Sequence, residues 1–132
     1  MLIDDRHVHP TVYARELNIT FNVEIQDGEL RSRTEKFLTG LTRDLRDAGC
    51  RLIGHIKGLF AAHEKGYLMF SVTSFEEAAQ FKGKLDAGIT AAIMTVNVIV
   101  YGVGFAAVED AFKKSFRKHL SARYVDGDTD GQ

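Results

Sequence analysis

A chain of 132 residues with 45% hydrophobic content can bury one core and is too short for two ordinary domains. Its 17 Lys and Arg against 18 Asp and Glu leave a formal charge of −1, which excludes the overall basic footprint of a nucleic-acid binder. A single cysteine, Cys50, excludes an intrachain disulfide and a cysteine-rich zinc site. No apolar run is long enough to span a bilayer. The opening MLIDDRHVHP lacks the basic start and apolar stretch of a secretion signal, so a soluble cytoplasmic protein with no membrane partner is expected.

Residues 1–16 have no clear period and are expected to form a loosely attached arm. From Leu17 the pattern becomes that of a one-sided strand: Leu17, Ile19, Phe21, Val23 and Ile25 alternate with Asn18, Thr20, Asn22 and Glu24. Asp27-Gly28 breaks the alternation. Leu30, Phe37, Leu38, Leu41 and Leu45 then recur at helical spacing up to Gly49, a suitable C-cap. LIGHIKGLF, residues 52–60, reads as the second strand, and His63-Glu64-Lys65-Gly66 as the turn into a third over 67–73. In the third strand Leu68, Phe70 and Val72 share one face, and Tyr67, Met69, Ser71 and Thr73 the other.

Ser74 opens S-F-E-E, the spacing of a capping box, and predicts a second helix that turns Phe75, Ala78, Phe81 and Leu85 inward. A fourth strand follows over 95–101, with Val96, Val98 and Val100 alternating against Asn97, Ile99 and Tyr101. After Gly102-Val103-Gly104, a last helix carries Phe105, Val108, Phe112, Phe116 and Leu120 on one stripe. The polar tail, 124–132, is expected to be disordered, leaving residues 17–123 as a single α+β domain. Strand, helix, strand, strand, helix, strand is the order of a ferredoxin-like split β-α-β sandwich: an antiparallel sheet with helices on one face, plus an extra C-terminal helix.

Such a sheet leaves one face uncovered. On it fall Asn22, His55, Lys57, Met69, Ser71, Asn97 and Tyr101, a mixture of apolar, hydroxyl and amide groups. His55 and Lys57, two residues apart on a strand, leave the same face and are the first pair to consider, as a base and an anion anchor or as part of a solvated surface. The mixture suits contact with a protein surface, including a second copy in a homodimer, better than it suits a pocket. A small-ligand or divalent-metal site is the alternative, with His55 and Lys57, or with His7 and His9 of the HVHP arm, since neutral imidazoles ligate zinc, copper or nickel. Gly102-Val103-Gly104 lacks the dinucleotide fingerprint, and no phosphate loop or nucleophile elbow exists. The basic end of the last helix complements the helix dipole and does not require nucleic acid. An enzymatic role is not expected.

LNITFNVEI, a helix, LIGHIKG, GYLMFSVTS and VNVIVYGV together resemble the C-terminal accessory domain of CobW-type GTPases, over residues 17 to about 120. The chain departs from that family in having neither the GTPase part nor its cysteine-rich metal motif. The resemblance implies a stand-alone accessory domain, with a separately encoded GTPase or a cofactor-assembly enzyme as partner and metal-cofactor assembly as setting.

Overall fold

A computed structural model describes residues 9–127. The chain runs β1 (Thr11–Ile25), α1 (Asp27–Asp47), β2 (Leu52–Ala61), a 3-10 turn (His63–Lys65), β3 (Gly66–Val72), β4 (Gln80–Leu85), β5 (Ile89–Tyr101), α2 (Phe105–Ser115) with a π-helical extension (Phe116–Leu120), and β6 (Arg123–Asp126). The strands form one antiparallel sheet in the order β4-β3-β2-β5-β1-β6. Because β5 is antiparallel to both β1 and β2, those two run the same way with β5 between them, and α1 makes the crossover.

The core lies between this sheet and the two helices. Leu17, Ile19, Phe60, Leu68, Met94 and Val98 point inward from the strands and meet Leu30, Phe37, Leu41 and Leu45 of α1 and Val108 and Phe112 of α2. Aromatic rings tie the layers: Phe112 stands 5.2 Å from Tyr13 on β1 and 5.3 Å from Phe37 on α1. Such pairs add to the burial of their area. The buried hydroxyls are satisfied: Ser115 donates to the Phe37 carbonyl at 2.7 Å and Thr34 to that of Leu30 at 2.7 Å. As its spacing predicts, α1 ends before Gly49, and the Cys50 amide donates to the Leu45 carbonyl at 2.9 Å.

The expected helix over 75–85 does not form, so the ferredoxin-like order with a second crossover helix is not reproduced there. The capping contact is made, with the Glu77 amide donating to Ser74 Oγ at 3.2 Å, but the turn goes no further. Phe75 is held instead beneath the Arg46 guanidinium, 4.2 Å from its ring centre, and Arg46 also reaches Glu76 at 3.3 Å. Beyond it, Gln80, Lys82 and Lys84 alternate with Phe81, Gly83 and Leu85 as a strand paired to β3. Gly83, at φ +94, takes a conformation that side-chain-bearing residues rarely adopt, and its carbonyl accepts from Arg31 at 2.6 Å.

Two boundaries also move. Residues from Thr11 onward, expected in a loose arm, are the first part of β1 and pair with β5 from Val100 downward. Tyr124, Val125 and Asp126, expected in a disordered tail, pair with β1 as β6, held by Arg15, which binds Asp126. Expectations for residues 1–8 and 128–132, the ligand role of His7 among them, lie outside the described residues. Among the described residues no helix is long and apolar enough to cross a membrane.

Candidate interaction face

Strand alternation sorts the sheet into two faces, and the helices take the inward one. The other is covered by no described element of the chain. Cross-strand register places its side chains in rows: Ile99 beside His55; Ala14, Asn97, Lys57, Ser71 and Gln80; Glu16, Thr95, Leu59, Met69 and Lys82; Asn18, Ile93, Ala61, Tyr67 and Lys84. Seven large apolar side chains are exposed among the described residues, and five of them (Val12, Leu52, Tyr67, Met69 and Val125) lie on this face. Met69 is 42% exposed near its middle and Val125 is 70% exposed on the edge strand.

Three adjoining depressions, of about 510, 480 and 300 Å³, make a shallow trough here, and Met69 lines all three. The largest has Lys57, Leu59, Thr95 and Asn97 in its wall and reaches Glu16 on β1. The smallest continues past Lys57 and Ser71 to Gln80 and Lys82 on β4. Asn97 Oδ1 is buried in the trough and accepts no hydrogen bond from the described residues, although buried polar atoms are normally paired.

The sequence-derived candidates divide. Lys57, Met69, Ser71 and Asn97 come together in the trough. His55 is half-buried on the same face, one row beyond Lys57. Tyr101 lies further along, opposite Leu52 at the far end of β5. Asn22 does not join them: the β1–β5 pairing becomes irregular after Thr20, and Asn22 is exposed beyond it. His9 is exposed ahead of β1, and no three His, Cys, Asp or Glu side chains among the described residues converge as a metal site. Leu59, Thr95, Ile93, Lys82 and Lys84 belong to the face but were absent from the sequence-derived set. Leu59 carried a usable signal, since it continues the His55, Lys57 alternation.

Elsewhere the shifted groups have structural causes. Burial pushes the Tyr13 hydroxyl up against the opposing pull of Arg15, which donates to it at 2.7 Å. Burial also raises the Cys50 thiol. His119 is held below its ordinary value by burial and then by Lys118, Arg43 and Lys36 around it. The Gly102-Val103-Gly104 link serves as a tight turn, in which the Val103 carbonyl accepts from Thr11 Oγ1 at 2.6 Å. Comparison of the chain with family models, with curated proteins and with solved structures finds no match.

Proposed function

We propose that this protein is a non-enzymatic, cytoplasmic interaction module whose open sheet face is closed by another polypeptide. The observation that carries the reading is the concentration of exposed apolar side chains on the one sheet face that no described element covers. Methionine and aromatic residues at the centre with polar groups around them form the composition of contact surfaces. Six strands about 4.8 Å apart and roughly seven residues long span about 650 Å², close to one side of a standard interface. Either a second copy or a different chain meets this reading. From the likeness to the CobW accessory domain, a separately encoded GTPase or cofactor-assembly enzyme is the class of different chain to try first.

A photo-crosslinking amino acid placed at position 69, and in a separate protein at exposed position 114 on α2, tests the proposal in cells. Adducts with polypeptide are expected from position 69 and not from 114. Crosslinking at neither site, or equally at both, would sink it.

A further inference from the structure

We infer that the polypeptide closing this face is an acidic amphipathic segment of a different protein, laid across the strands along the trough; this rests on the interaction-module reading. The argument is one of charge. Within the paired registers the face presents Lys57 at the centre of the trough, Lys82 and Lys84 on β4 and Arg123 on β6, with Glu16 as its single carboxylate. The chain as a whole carries −1, whereas the paired part of this face sets four cations against one carboxylate. The nearby acid of β6, Asp126, is turned to the opposite face and engaged by Arg15.

A second copy would bring the same excess of cations against its own image, whereas an acidic segment meets them with opposite charge. Complementarity of this kind selects partners more than it supplies affinity, which comes here from the apolar floor. The trough runs from Glu16 on β1 to Lys82 on β4, four strand spacings or about 19 Å. That is the length of a helix of about 13 residues. Its floor is aliphatic around Leu59 and Met69, with Tyr67 exposed toward one end; successive stacked bases need a run of such rings, which favours a peptide over a nucleic-acid strand.

The test titrates the full chain against four fluorescent probes: a helical peptide of leucine and glutamate, its twin with lysine for glutamate, polyglutamate, and a single-stranded oligonucleotide. Anisotropy should show the Leu/Glu peptide binding about tenfold or more tightly than the Leu/Lys peptide, as two exposed charge pairs would give. Lys57→Glu with Lys82→Glu should reverse that order, and Met69→Ser should weaken both peptides; thermal melts confirm that the variants fold. Equal binding of the two peptides, still dependent on Met69, overturns the acidic preference while leaving the contact surface standing. Polyglutamate or the oligonucleotide binding as tightly as the Leu/Glu peptide also overturns it. No peptide binding, with a Met69-dependent dimer by light scattering, assigns the face to a second copy. No binding of any kind and no dimer defeats both readings.

Discussion

Gly58, in the middle of β2, is predicted to reject even a methyl group. Its missing side chain would point to the helix side, where the Phe70 ring lies across it. An added Cβ would stand 2.2 Å from Phe70 Cζ and 2.7 Å from Cε1 and Cε2. Carbon atoms rest about 3.5–4.0 Å apart, so the ring must retreat by more than about 1 Å. It has little room: Phe70 is 2% exposed, and its ring centre is 5.6 Å from that of the fully buried Phe60. Overpacking of this kind costs about 1–3 kcal/mol, and the lower chain entropy of alanine returns about 0.5–1 kcal/mol. Gly58→Ala should therefore destabilise by about 1–2 kcal/mol, lowering the urea midpoint by roughly 1 M at unchanged slope. Phe70→Leu should relieve it, so the double variant should be less destabilised than the two single costs together by about 1 kcal/mol. A Gly58→Ala protein as stable as the parent, or strictly additive costs, would refute the ring contact as the cause.

Asp27 at the start of α1 accepts from the Leu85 amide at 2.8 Å and from Arg31 at 2.6 Å. Burial raises its carboxyl, but these two bonds outweigh that and hold it below the ordinary range. Its stabilisation is therefore present above the unfolded value of about 3.9 and lost as pH falls through the lower folded value. Asp27→Asn should cost about 1 kcal/mol at neutral pH, with a smaller loss on acidification than the parent in paired urea melts; an unchanged acid profile would contradict this. Phe112→Ala, which empties the ring site between Tyr13 and Phe37, should cost about 3–5 kcal/mol and lower the melting temperature by roughly 10–20 °C. A shift of only a few degrees would show that α2 is not anchored there. Cys50 is buried, its thiol raised, and its sulfur lies 3.5 Å from the Leu52 carbonyl, so iodoacetamide should label it far more slowly in native than in denatured protein. Equal rates would place the thiol outside the core.

Most of the sheet was legible because its strands alternate cleanly. Leu17 to Phe21, Val96 to Val100 and Leu68 to Val72 each carry the period of two that a half-covered sheet imposes, and the faces follow from that period. Residues 75–85 were misread because Phe75, Ala78, Phe81 and Leu85 fit a helical stripe and Ser74 opens a capping box. The competing period of two in QFKGKL was equally present. Tertiary contacts decided between them: Arg46 takes Phe75, and β3 offers backbone partners to Gln80 through Leu85. That misreading hid Lys82 and Lys84, and with them the charge of the face. Asn97 was found as a face residue, but its lack of a partner depends on neighbours from other strands and has no signature in the local sequence.

The outer border of β4 decides what kind of assembly the protein can enter. A border strand normally offers a row of backbone groups on which further strands could stack without end. Here Gly83 departs from extended backbone at φ +94 and its carbonyl is already taken by Arg31, while the lysines at 82 and 84 flank it. The opposite border, β6, is only four residues long. Growth strand by strand is thus discouraged at the β4 border. Complexes formed through that border should have fixed stoichiometry and should not lengthen into fibres as concentration rises.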